Sequence, residues 1–303
     1  MNGILCIDKP VDFTSFDVVA KMRGILQTRK IGHSGTLDPM ATGVLPLFIG
    51  RATKACDMLP DQTKRYTATF TLGLVTDTQD STGTVLQQRP VTVERPEVAA
   101  TLAEFVGPQK QLPPMYSAVR VNGQRLYDLA RQGVEIDREA RDITVFSADL
   151  LPQESEIPHT YTVDIDCSKG TYIRTICHDL GQRLGCGAVM TGLRRTRACG
   201  YHLADCMTLE QAQEYANAGD WADKILPVET AFATYEPLHL DEVQTRLFTN
   251  GVQLSLLRMG FVPAEHKDGE LFTIFGAMGD FLGLAAADVA ADALIGRKWF
   301  GLR

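Results

Sequence analysis

What this 303-residue chain lacks says a good deal about it. It has no basic excess: 30 Lys and Arg against 37 Asp and Glu leave a formal charge of -7. Taken alone, that balance counts against a nucleic-acid partner, because phosphate binding usually shows as net positive charge. No two of its seven cysteines form a C-x-x-C pair, and their number is odd. Zinc-ligand spacing is therefore missing and a disulfide framework is disfavoured. Cys6, Cys56, Cys167, Cys177, Cys186, Cys199 and Cys206 read as small core residues of a reducing compartment. No run approaches the ~18 apolar residues of a membrane helix, and Met1-Asn2-Gly3-Ile4-Leu5 is not a secretory leader. A soluble cytoplasmic protein is expected. The chain also has no internal repeat, no low-complexity tract and no G-x-x-x-x-G-K-[ST] phosphate loop.

What is present suits a globular protein: 45% apolar residues and 22% charged ones, with no long block of one sign. The length fits one large domain and one small one. Positive charge is clustered at Arg29-Lys30, Lys64-Arg65, residues 138–141, and Arg194, Arg195 and Arg197. Acidic residues gather at Glu154, Glu156 and across residues 205–223. A basic face on an acidic protein and ordinary solvated charge both fit this distribution.

Strands are expected at 3–7, 65–73, 144–150 and 161–167, the second from its alternation of Tyr66, Ala68, Phe70 and Leu72 with threonines. Helices are expected at 15–26, opened by a capping box at Thr14 and Asp17, and at 52–58, 93–105, 126–131, 173–184 and 209–217. Residues 187–193 and 196–202 suggest separate turn and strand pieces. Strands and helices in no fixed βαβ rhythm predict an α+β fold with a mixed, mainly antiparallel sheet. After Pro227 the elements shorten, and Gly-rich stretches at 275–284 and 294–301 predict a small β-rich module. The boundary falls near Tyr235, giving units 1–234 and 235–303.

The loop His33-Ser34-Gly35-Thr36-Leu37-Asp38-Pro39-Met40-Ala41-Thr42-Gly43 stands apart. Pro39 pushes Asp38 toward extended backbone, and the flanking glycines permit tight turns or close ligand approach. A lone carboxylate in such a loop suits a nucleophile or general base. It equally suits an Asx-turn, in which the aspartate bonds its own backbone. Local spacing leaves both readings open.

The same loop is similar to the G-x-L-D-P-x-A-T-G signature of the tRNA pseudouridine-55 synthases, the TruB family. Further segments resemble that family in its order. Leu5-Cys6-Ile7-Asp8-Lys9-Pro10 with Thr14-Ser15 looks like the opening motif, and Lys64-Arg65-Tyr66-Thr67-Ala68 like the tyrosine motif. Residues 111–118, continuing through Gly123 and Leu126 to Gly133, look like the RNA-gripping insertion. Cys167-Ser168-Lys169-Gly170-Thr171-Tyr172-Ile173-Arg174-Thr175 and residues 187–196 look like the arginine and leucine motifs. The likeness is strong over 3–203. Asp12 departs from it, standing where the family usually has glycine.

The resemblance implies a pseudouridine synthase catalytic domain with an inserted RNA-binding arm at about 111–141 and a PUA-like C-terminal domain. It implies isomerisation of the uridine at position 55 in the T-arm loop of tRNA, through a flipped base, with no metal and no cofactor. Asp38 becomes the essential carboxylate, its target atom left open, and Arg174 a neighbour holding its pKa down. Tyr66 would stack on the base and handle its proton, and Leu193 would wall it. Tyr172 packs nearby in a structural or direct role, His33 would fill the gap left by the base, and Lys9 and Pro10 would support the loop. Arg120, Arg125, Arg131, Arg138 and Arg141 offer phosphate contacts, with Arg194, Arg195 and Arg197 adding more. A monomer is expected. One rival is a non-catalytic RNA-binding protein on the same scaffold, which predicts a lost carboxylate. Another is an Asp-nucleophile hydrolase, which lacks its metal carboxylates here, since the Asp164/Asp166 pair is explained by strand alternation.

Overall fold

The structure is a computed structural model that describes the chain apart from residues 118, 122, 153, 154, 220, 222, 302 and 303 and the side chains of 125 and 263. Ala118 of the insertion motif, the Arg125 side chain and the end of the 235–303 segment thus lie outside the described residues.

Alternation in the sequence becomes a sheet. In strand Lys64–Leu72, Tyr66, Ala68, Phe70 and Leu72 are buried and the intervening threonines half-buried. Such period-2 burial turns one face toward a core. The strand lies between Thr160–Cys167 and Ala188–Ala198, both antiparallel to it. Among the described residues, the path across the sheet is Cys206–Met207, Gly3–Lys9, Thr42–Ile49, Ala188–Ala198, Lys64–Leu72, Thr160–Cys167, Arg141–Leu150 and Gly107–Gln111. Ile31–His33 pairs antiparallel with Thr42–Ile49. Two pairings in this sheet are parallel, Gly3–Lys9 with Cys206–Met207 and Thr42–Ile49 with Ala188–Ala198. The architecture is α+β with a mixed, mainly antiparallel sheet.

Helix Ser15–Ile25 starts at the predicted capping box, where Thr14 accepts from the Asp17 amide and Asp17 from the Thr14 amide. Its Val18, Val19 and Met22 pack on Leu5, Ile7, Leu45 and Leu47. Helix Ile173–Arg183 packs Ile173, Ile176, Cys177 and Leu180 among Phe70, Ile165 and Met190. Burying each such large side chain contributes about 1.5–3 kcal/mol, which is what pins these helices to the sheet.

Two expectations are corrected. The segment at 52–58 is a 3-10 turn over Gly50–Ala55, a tight connector directly after a strand. Residues 187–202 form one long strand, Ala188–Ala198, followed by the short Tyr201–His202. Register shifts at Met190/Gly192 and Arg195/Arg197 break its alternation, so the pattern looked like two pieces.

A second sheet runs Glu236–His239, Leu271–Phe275, Phe281–Asp288, Ala293–Trp299. Helix Glu242–Thr249, too short to show a clear period in the sequence, places Phe248 on it. This sheet joins the first through Phe232, Leu284 and Phe300, which cluster with Ile4 and Phe48, and through Lys54 Nζ donating to Trp299 O at 3.0 Å. Among the described residues no helix is long and apolar enough to cross a membrane.

Candidate active site

Residues 34–41 connect the antiparallel strands Ile31–His33 and Thr42–Ile49, and side chains from elsewhere fix this loop at several points. Ser15, buried in the first turn of its helix, accepts from the Leu37 amide at 2.8 Å and donates to the Leu37 carbonyl at 3.3 Å. Lys9 Nζ, with no exposed surface, donates to Pro39 O at 3.1 Å and to Pro10 O and Phe13 O. Burial pushes this ammonium down to about 8, while Asp38 and Asp12 pull it back up. The Asp12 amide also donates to Pro39 O, at 2.9 Å. Asp12 stands in the left-handed region at φ 64°, a conformation that favours glycine, and its amide ties this departure to the loop.

Arg195 is fully buried and holds the far side of the loop, donating Nε to Val44 O at 2.7 Å and Nη2 to Gly35 O at 3.0 Å. Its own strand crowds Gly43: a Cβ there would lie 2.2 Å from Arg195 O, and φ is 105°, so glycine is required. Arg195 is the cross-strand partner of Gly43 on one side and of Tyr66 on the other.

Asp38 is carried at the exposed side of this braced loop. Its Oδ2 pairs with Arg174 Nε at 2.9 Å, and 37% of its side chain remains open to solvent. Arg174 is buried, on the first turn of helix Ile173–Arg183. Its remaining nitrogens are also engaged: Nη1 donates to Thr78 O at 3.1 Å and lies 3.6 Å from Asp80 Oδ2, and Nη2 donates to Tyr116 O at 2.8 Å. Burial of the Asp38 carboxyl pushes its pKa above the ordinary aspartate value; Arg174 opposes this and Asp80 adds to it. Arg174 lowers this pKa as expected, but desolvation outweighs it.

Tyr66 is buried beside the loop, and burial pushes its phenol up to about 12, with Arg195 pulling the other way. The phenol is therefore neutral at pH 7. Leu193 and Met40 pack at the edge of the same apolar cluster that contains Tyr66 and Leu37. Tyr172 precedes Arg174 at the helix start, and its backbone is gripped by the Gln111 side chain. His33 ends the strand before the loop; burial, with Arg195 nearby, lowers its pKa, and its buried Nδ1 has no partner among the described residues.

The three arginines expected to add phosphate contacts are all engaged within the protein. Arg194 pairs with Asp8 at 2.7 Å, Arg195 is buried, and Arg197 pairs with Asp166 at 2.9 Å. Arg65 pairs with Asp164, so that D-x-D is a ladder of ion pairs. In the arm, Arg120, Arg131 and Arg141 are exposed, Arg138 pairs with Glu135, and Arg120 and Arg131 line an open groove of about 660 Å³. Three residues with a part in the site escaped the sequence: Asp80, Gln111 and Arg195 in its loop-bracing role. Asp80 also accepts from Thr78 Oγ1 at 2.8 Å and from Thr82 N at 3.0 Å, the turn signature that hid its long-range partner.

A carboxylate in a braced loop, paired with a buried arginine on a helix over such a sheet, agrees with what the chain resembles. Residues 23–173 match the TruB family pseudouridylate synthase N-terminal domain, which places the protein among the pseudouridylate synthases. Residues 174–233 match the tRNA pseudouridylate synthase B C-terminal domain. The tRNA pseudouridine synthase B of Clostridium kluyveri is 39% identical over 94% of this chain and 95% of the relative. That of Ectopseudomonas mendocina is 47% identical over 80% and 79%. A chain in a solved Cbf5-Nop10-Gar1 complex superposes with a TM-score of 0.73 at 25% identity, covering 99% of this chain and 85% of that one. The chain belongs to the TruB family.

Proposed function

We propose that this protein isomerises uridine to pseudouridine in tRNA, at position 55 of the T-arm loop, with Asp38 as the essential carboxylate. The observation that carries the site assignment is the 2.9 Å Arg174–Asp38 pair in a loop that is rigid behind and open in front. The pair favours the ionised carboxylate the chemistry needs, against the burial that opposes it. The reaction cuts the bond between uracil and ribose, turns the base and rejoins it through carbon. It requires a base out of its stack, at a cost of a few kcal/mol that is least in a loop.

In this reading Tyr66 stacks on the extruded base, worth about 1–3 kcal/mol. Arg195 beside its phenol favours passage of the base proton through that oxygen. Leu193 walls the base, His33 meets the RNA where the base has left, and Tyr172, Lys9 and Pro10 hold the surroundings. The exposed arginines of the 111–141 arm contact phosphates. Residues 1–234 form the catalytic unit, and 235–303 a PUA-like module that extends the RNA contact.

The test is conversion of an unmodified T-arm stem-loop, followed by tritium release or mass labelling. The wild-type protein converts one loop uridine. Asp38→Asn binds the same RNA and converts none. Activity surviving in Asp38→Asn would overturn the carboxylate's role, and conversion of ribosomal RNA alone would overturn the substrate.

A further inference from the structure

The inserted arm begins and ends at one point. Gln111 closes strand Gly107–Gln111 and is the cross-strand partner of Arg141, so residues 111 and 141 form the root of the arm. Gln111 is also buried, with 5% of its surface exposed, which is unusual for a glutamine without a structural task. Its side-chain amide reads the backbone of Tyr172 on both sides. Oε1 accepts from the Tyr172 amide at 2.8 Å, and Nε2 donates to the Tyr172 carbonyl at 3.0 Å. The glutamine thus copies a strand-type pairing at the start of the helix that carries Arg174, where Tyr172 has no side-chain cap of its own.

A second contact joins the same two parts. Arg174 Nη2 donates to the carbonyl of Tyr116, five residues into the arm segment, at 2.8 Å. The guanidinium is therefore shared three ways: by Asp38, by the Thr78–Asp80 turn and by the arm. A buried guanidinium that loses one carbonyl keeps an unpaired N–H, so its seat depends on all three partners.

We infer that Gln111 is a positioning residue. It fixes the root of the arm to the start of the Arg174 helix, so that the arm's seating on RNA and the Arg174–Asp38 pair are set together. Tyr116 O already meets Arg174 in the structure; RNA that holds the arm down keeps that contact, and Arg174 keeps Asp38 paired and aimed. An arm that lifts at its root loosens the guanidinium. This rests on the assignment of Asp38 as the catalytic carboxylate.

The experiment uses the full chain with Gln111→Glu and Gln111→Ala, and Asp38→Asn beside them. Glutamate keeps the volume and the acceptor for the Tyr172 amide but sets an oxygen against the Tyr172 carbonyl. Single-turnover conversion at saturating stem-loop should fall about 10- to 100-fold at pH 7, the order expected when a catalytic group is misplaced by ~1 Å. The acid limb of the rate profile should move to higher pH, and raising the pH should restore part of the rate. The charged and titratable groups facing Asp38 are Arg174, Asp80, Lys9 and Tyr66, and none of them is altered in the variants. Affinity for the stem-loop should change less than twofold. A rate loss that follows thermal stability, with an unmoved acid limb, would make Gln111 merely structural and overturn the inference. So would wild-type rates in both variants with Asp38→Asn inactive, in which case the Asp38 assignment stands alone. Activity in Asp38→Asn would bring down the site reading and this inference with it.

Discussion

Replacing Ser15 by alanine removes one oxygen that serves Leu37 twice. That oxygen accepts from the Leu37 amide at 2.8 Å and donates to its carbonyl at 3.3 Å, with Ser15 and Leu37 both buried. Water has little access to replace it, so the amide is orphaned, at a cost of about 1–3 kcal/mol. Alanine returns up to ~0.5 kcal/mol in helix propensity at the first helical position. The net expectation is a loss of roughly 0.5–2.5 kcal/mol in urea unfolding, with the slope of the transition unchanged. Because Leu37 directly precedes Asp38, the variant should also lose single-turnover rate by more than its stability loss can explain at a temperature where it is fully folded. RNA affinity should be retained. A variant within ~0.5 kcal/mol of wild type, the range of an ordinary surface substitution, would show that the loop does not depend on this clamp. Destabilisation with an unchanged rate in the folded enzyme would separate loop anchoring from Asp38 positioning and refute the second half of the argument.

Two other perturbations probe the same loop. At Asp12, φ 64° favours glycine, so Asp12→Gly should gain a few tenths to about 1 kcal/mol and keep full activity, while Asp12→Val should lose about 1–2 kcal/mol. Urea midpoints check both, and equal midpoints would show the turn to be unstrained. Arg174→Gln removes the cation that opposes the upward shift of Asp38, so the carboxyl's pKa should rise further. Activity needs the carboxylate and is lost as pH falls through that pKa, so the acid limb should move to higher pH. An acid limb that stays put or moves down would show that Arg174 does not set the charge of Asp38.

The sheet, the two helices against it and the loop at 33–43 were legible because each is a local statement. Alternation at Tyr66 to Leu72, the Thr14–Asp17 capping box and the Asp38-Pro39 step are all written within a few residues. Asp38 read alone was as good a turn residue as a catalyst, and only its resemblance across distant segments tipped the balance. Asp80 was illegible for a physical reason. Its threonine contacts at positions 78 and 82 look like an ordinary polar turn, while the partner that matters is 94 positions away at Arg174. Gln111 was quoted inside a motif without a role, since an amide pairing with a remote backbone leaves no periodic trace. The C-terminal helix at 242–249 failed on length, being two turns with one buried anchor.

The fate of the positive charge links these observations. Lys9 spends its ammonium on three carbonyls, Arg195 binds two, and Arg174 serves two carbonyls and two carboxylates. These cations lie behind Asp38 and act on the protein's own backbone. They fix the carbonyls of Gly35, Pro39 and Val44, which would otherwise be free to turn, so the loop's geometry is set before any RNA arrives. That is the arrangement electrostatic preorganisation requires: the ordering cost is met in folding rather than at the moment of reaction. The exposed Arg120, Arg131 and Arg141 of the arm take no part in this bracing. The net charge of -7 therefore says little about the site, where the cations that set the loop, Lys9, Arg174 and Arg195, are buried.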